Sequence, residues 1–158
     1  MNPAKVWTAA LTVVIVVLYA VGSTRWVETG SGWYRSLHRP AWQPPDVVFG
    51  IAWTYNFAVI IVSGIVVAAY GTSLQRGVWL GALPVSVAAA LSWAWLFYVR
   101  HSLWASSFAL LAAVVVTVAL VWAAWTTRLW AGAILLPYLV WLAVATSLAM
   151  GYAHLNPR

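Results

Sequence analysis

The sequence has no cysteine and almost no acid. Without cysteine there is no disulfide, no thiolate metal site and no thiol redox chemistry. Asp and Glu together number 2, Glu28 and Asp46, so paired carboxylates for acid–base catalysis are absent. The 3 histidines, His38, His101 and His154, do not cluster at metal-ligand spacing, and no metal is expected. Charged residues make up 6% of the 158, against roughly 25% in an ordinary soluble domain. So few charges cannot cover a water-facing surface, which excludes a soluble enzyme, a disordered chain and a large extramembrane domain. The net charge of +6 would point a soluble protein towards nucleic acid. Here the basic residues stand at the ends of apolar runs, where lipid headgroups and topology account for them, so no nucleic-acid partner is expected.

What the sequence has in abundance is apolar length. Hydrophobic residues reach 65%. Charges, Gly and Pro divide them into five runs, at about 6–22, 47–70, 78–99, 103–126 and 129–152, none with an internal charge. Each is near the length of about 20 residues that a bilayer-spanning helix needs. The runs lack the polar alternation of a membrane barrel strand. The expectation is all-α: a single domain over 1–158, with five transmembrane helices and a long lid loop at 23–46. The first run also fits a signal-peptide pattern, with Lys5 before it and Ala20-Val21-Gly22 at its end.

A connection as long as 23–46 is usually functional in a compact protein. Gly32 can begin a short helical turn there, and Pro40, Pro44 and Pro45 fix the return path. Asp46 is placed to cap the second span by accepting from free backbone N–H groups. Lys5, Arg76 and Arg128 fall at one end of the spans; Arg25, Arg35, Arg39, Arg100 and Arg158 fall at the other. The excess puts the long loop and the C-terminus on the cytoplasmic side of the membrane.

The 13 tryptophans are the most informative feature. Trp7, Trp26, Trp79, Trp104, Trp125 and Trp130 lie near span ends, where an indole suits the headgroup region. Trp33 and Trp42 lie in the loop, placed to roof the bundle. Trp53 and Trp93 lie about 9 Å below the loop-side interface, and Trp141 about 16 Å, at 1.5 Å per residue. Asn56 is one turn below Trp53. Phe57 shares a face with Trp53, Phe97 with Trp93, and Tyr138 and Ala145 with Trp141. Three spans can thus offer rings at similar depth beneath a Trp-rich loop, a setting for a flat, hydrophobic, aromatic ligand. A ligand-free core or lipid-facing tryptophans would give the same pattern. Gly77 and Gly81 form a Gly-x-x-x-Gly pair continued by Val85 and Ala88; small residues let helix backbones approach closely, between two copies or inside one bundle.

The motif Trp33-Tyr34-Arg35-Ser36-Leu37-His38-Arg39-Pro40-Ala41-Trp42-Gln43-Pro44-Pro45 resembles the first-loop signature of the tryptophan-rich sensory protein family. That family includes bacterial TspO and the mitochondrial translocator protein, formerly the peripheral benzodiazepine receptor. Val48-Phe49-Gly50-Ile51-Ala52-Trp53-Thr54 resembles the entry to its second helix. Leu136-Pro137-Tyr138-Leu139-Val140-Trp141 and Ala145-Thr146-Ser147-Leu148 resemble its fifth, and His154-Leu155-Asn156-Pro157 its C-terminal exit. The resemblance implies a five-helix membrane protein, often a homodimer pairing through the third span. It implies binding of porphyrin, haem or other tetrapyrroles as ligands, with no required cofactor, and in some members cholesterol or benzodiazepine-type drugs. Tyr34, Trp53, Phe57, Phe97, Trp141 and Ala145 match the family pocket. Ala90 and Ala149 stand where the family usually has Asn, and Asn56 where it often has Leu. Leu148, Tyr152 and Arg158 trace a cholesterol-type pattern, which an interfacial Tyr and a terminal basic residue also explain.

Three functions follow as expectations. The first is a sensory, regulatory or transport-accessory protein whose ligand site comprises Tyr34, Trp42, Trp53, Asn56, Phe57, Trp93, Phe97, Tyr138, Trp141 and Ala145. The second is an enzyme-like, light-dependent porphyrin degrader in which Trp53 and Trp141 donate electrons to a photoexcited ligand. The third is a transporter subunit, against which stands the lack of charge inside the spans.

Overall fold

The computed structural model describes residues 2–157. Helix α1 (Pro3–Trp26) leads through a short α2 (Gly32–Ser36) to α3 (Asp46–Tyr70). Then come α4 (Ser73–Ala94), which continues as a π-helical turn over Trp95–Val99, α5 (Leu103–Thr127), α6 (Leu129–Ala133) and α7 (Leu136–Leu155). Among the described residues there is no strand. Five segments are long and apolar enough to cross a bilayer: Pro3–Trp26, Asp46–Tyr70, Ser73–Val99, Leu103–Thr127 and Leu129–Leu155. Lipid contact explains why α1 leaves Val14, Val17, Leu18 and Val21 exposed, an apolar surface that water would not tolerate.

The helix ends follow from local chemistry. Asn2 accepts from Ala4 N to begin α1. Thr72 and Gln75 form a reciprocal capping box for α4, directly after Gly71 closes α3. Asp46 does not cap α3 as its position suggested. Pro45 occupies the cap, and Asp46 is the first helical residue, where a carboxylate complements the N-terminal dipole. The last span is broken rather than continuous. Pro137, which cannot donate a backbone hydrogen bond, sits in the first turn of α7 after a turn at 134–135. Carbonyls near the break accept from side chains of α3: Ser63 Oγ donates to Ala131 O at 2.9 Å and Tyr55 Oη to Ile134 O at 2.9 Å.

Small polar residues lock the bundle. Ser86 and Thr117 hydroxyls meet at 2.8 Å between α4 and α5. Gly64 allows α1 and α4 to close on α3, since a Cβ there would lie 2.4 Å from Thr12 Cγ2 and 2.9 Å from Trp79 Cζ2. Trp79 is not a headgroup residue: it is fully buried and donates its indole N–H to Thr12 Oγ1 at 2.9 Å. Trp7, Trp104, Trp125 and Trp130 are exposed, as expected of belt residues. Gly77, Gly81, Val85 and Ala88 face outward on α4, so their small side chains do not serve packing within the bundle.

Basic residues divide between the two ends. Lys5 Nζ donates to Ala69 O at 2.7 Å, Arg76 to Gly71 O, and Arg128 lies over the Tyr70 ring at 4.9 Å. Arg25, Arg35, Arg39 and Arg100 lie at the opposite end with the long connection; Arg158 lies outside the described residues.

Candidate functional site

At the end of the bundle that carries the long connection, α3, α4 with its π turn, and α7 enclose an open cavity of about 260 Å³. Eight of its lining residues are aromatic. Each wall follows from helical register. On α3, Phe49 and Trp53 are one turn apart; Phe49 stands edge-on to Trp141 of α7, with ring centroids 5.3 Å apart at 78°. On α7, Trp141, Ala145, Leu148, Ala149 and Tyr152 run up one face at spacings of three and four. On α4, the π turn changes the period from four to five, closing with a bond from Arg100 N to Trp95 O at 3.0 Å. Trp93 and Phe97 share a face by regular helical spacing, and the wider turn brings Tyr98 to the same cavity beside them.

The connection folds over this end. Ser31 caps α2 by accepting from Tyr34 N at 3.2 Å, and α2 directs the Tyr34 ring inward. Tyr152 Oη donates to Tyr34 Oη at 3.2 Å and contacts Gln43 Oε1, while Gln43 Nε2 donates to Tyr34 Oη at 3.4 Å. Asn156 grips the backbone of His38 on both sides: its Oδ1 accepts from His38 N at 2.9 Å and its Nδ2 donates to His38 O at 3.1 Å. Trp33 stacks on His101 at 3.8 Å and 12°, and His101 holds a left-handed backbone with φ 55°.

Of the residues singled out from the sequence, Tyr34, Trp53, Trp93, Phe97, Trp141 and Ala145 line this cavity. Four do not. Trp42 lies on the outside of the loop against Gly151, 57% exposed. Tyr138 is buried in the bundle centre near Tyr19, Ser86 and Thr117. Asn56 is buried, and its Nδ2 has no hydrogen-bond partner. Phe57 lines a second cavity of about 340 Å³ between α1, α3 and α4, which Trp53 and Trp93 separate from the first.

The substituted positions also part. Ala149 lines the first cavity and Ala90 the second. Leu148 and Tyr152 are buried and face the cavity, so they present no outward surface for a sterol. Residues that the sequence reading missed include Asp46, Phe49 and Tyr98. Phe49 was legible as the position one turn above Trp53; Tyr98 was hidden by the π turn. Trp93 and Trp141 both carry a buried indole N–H without a hydrogen-bond partner. Among the described residues no group of His, Asp and Glu is arranged to hold a metal ion.

Known proteins resemble the chain over nearly its whole length. The TspO/MBR family model matches residues 8–155. A protein named Translocator protein from Homo sapiens is 35% identical over 143 residues, covering 81% of this chain and 77% of that protein. A Tryptophan-rich sensory protein from Cereibacter sphaeroides is 28% identical over 124 residues, 78% of this chain and 77% of its own length. Protein CrtK from Rhodobacter capsulatus is 26% identical over 146 residues, 92% of this chain and 91% of its own.

Proposed function

The chain belongs to the TspO/MBR family and is an integral, multi-pass membrane protein, and on that premise we propose that it binds a porphyrin, haem or another flat, hydrophobic ligand in the aromatic cavity, in a sensory, regulatory or transport-accessory role. The observation that carries this reading is the convergence of Trp53, Trp93, Phe97 and Trp141 on one cavity below Tyr34. Indole faces stack on flat rings, and each such contact adds roughly 0.5–1.5 kcal/mol beyond area burial. The unpartnered indole N–H groups of Trp93 and Trp141 would gain an acceptor from a ligand carbonyl or ring nitrogen. At about 260 Å³ the cavity takes a macrocycle by one edge, so full entry requires the connection above it, acting as a lid, to shift. The excess of basic residues at that end supports a cytoplasmic long connection and C-terminus, and the outward Gly77–Gly81 stripe supports pairing of two copies through that face.

Titration of purified protein with a soluble porphyrin, read by tryptophan fluorescence quenching, tests the site. Trp53→Ala and Trp141→Ala should each weaken binding by about tenfold or more. Trp7→Ala and Trp130→Ala, both lipid-facing, should leave it nearly unchanged. Ala145→Leu narrows the cavity and should lose large flat ligands before small ones. If the two controls lose as much as the cavity variants, the ligand is partitioning into the interface and the site is wrong.

Light-dependent porphyrin breakdown is a second reading, favoured by Trp53 and Trp141 lining the same cavity as potential electron donors. It requires that illuminated protein–porphyrin complex with oxygen yield a product that free porphyrin does not. Sterol binding has no comparable support, because Leu148 and Tyr152 are turned inward.

A further inference from the structure

Among the described residues, Asp46 is the only one with a formal charge on the cavity wall. It is exposed at the first turn of α3, caps nothing, and its carboxylate makes no hydrogen bond or ion pair with any described residue. The rest of the polar lining is neutral: the hydroxyls of Thr29, Tyr34, Tyr98 and Tyr152 and the Gln43 amide. Arg39 is not among the lining residues; its guanidinium lies over the Tyr34 ring, 5.6 Å from the centroid, on the side of Tyr34 and Tyr152. Below the carboxylate the wall is aromatic, and ring faces carry partial negative charge. A carboxylate above ring faces, with no cation among the described lining residues, is the arrangement that recognises a positively charged nitrogen.

We propose that this cavity selects a hydrophobic ligand bearing an ammonium or other cationic nitrogen, with the Asp46 carboxylate as its counter-charge at the mouth. The proposal rests on the reading of the cavity as the ligand site. The apolar body of the ligand occupies the space between Trp53, Phe97 and Trp141, and the cation stays at the rim, where it keeps part of its hydration. Asp46 thereby discriminates between ligands of one shape by their charge.

Three probes of one macrocycle separate charge from shape: protoporphyrin, with two carboxylates; its neutral dimethyl ester; and its bis-amide with ethylenediamine, with two ammonium groups. Binding is measured in neutral maltoside detergent by fluorescence quenching. At about 50 mM salt the bis-amide should bind about three- to fivefold tighter than the ester, the scale of one exposed ion pair with cation–π support, and the diacid weaker than the ester. Asp46→Asn should bring bis-amide and ester to equal affinity, and Asp46→Glu should keep the preference. Raising salt to about 300 mM should shrink the preference in the unmodified protein. Equal affinities in the unmodified protein, or a preference that survives Asp46→Asn, overturn the role of Asp46. Failure of the neutral ester to bind saturably would instead reject the cavity as a porphyrin site, so the two failures are distinct.

Discussion

The indole N–H of Trp79 donates to the Thr12 hydroxyl at 2.9 Å, and that hydroxyl donates in turn to Thr8 O at 2.8 Å. The chain of bonds joins α4 to α1 in a region where no water is at hand to replace either partner. Trp79→Phe removes the donor and leaves a gap beside Gly64. The expected cost is about 1–3 kcal/mol, seen as a lower melting temperature in detergent. Trp130→Phe, at a lipid-exposed position, should not change melting. Equal losses in the two variants would return Trp79 to the headgroup belt.

Asn56 presents the opposite case. Its side chain is 1% exposed and its Nδ2 donates to nothing. A buried donor left without an acceptor carries a desolvation penalty of about 1–3 kcal/mol. Asn56→Leu, branched at the same carbon, somewhat larger and wholly apolar, removes that penalty and should raise the melting temperature without altering porphyrin affinity, since Asn56 does not line the cavity. A drop in affinity with unchanged melting would assign the amide to ligand binding after all.

The connection over the cavity is held at Gly151 and Asn156. A Cβ at Gly151 would lie 2.8 Å from Trp42 Cζ2 and 2.9 Å from Pro40 Cγ, so the glycine is what allows the loop to seat on α7. Gly151→Val and Asn156→Ala should each speed amide hydrogen exchange across residues 27–45, the latter by releasing the two bonds to the His38 backbone. Exchange in α3 and α5 should stay as it was. Unchanged loop exchange in both variants would mean that the Trp33–His101 stack alone suffices to hold it.

Spans and the facing of most tryptophans were legible because bilayer length and helical period act on long, uncharged segments. Depth and register alone bring Trp53, Trp93, Phe97 and Trp141 together. The reading failed where a local change of period or an interior bond intervened. Tyr98 enters the cavity because five residues adopt π geometry, which no apolar pattern announces. Trp79 stands near a span end, as belt residues do, and only its partner Thr12 distinguishes it. Trp42 belongs to the loop motif but packs from outside, because the order of residues in an irregular segment does not fix which side faces in. Asp46 is assigned to the cavity wall by the loop's return path, not by helix capping.

Gly77 and Gly81 test association between copies. A Cβ at either glycine would meet nothing within 4 Å, and Val85, 54% exposed, and Ala88 continue the same outward face. Lipid chains are as apolar as the helix, so pairing there depends on close van der Waals contact between backbones, which small residues permit and large ones prevent. Gly81→Leu leaves the protomer untouched, because the added side chain points away from the bundle. Melting temperature and porphyrin affinity should therefore match the unmodified protein. Light scattering of the detergent-solubilised protein should show a shift from dimer to monomer, and Gly77→Leu with Gly81→Leu should complete it. A dimer that persists in the double variant would place the pairing surface elsewhere, and the exposed face of α1, with Val14, Val17 and Val21, would be the next to substitute.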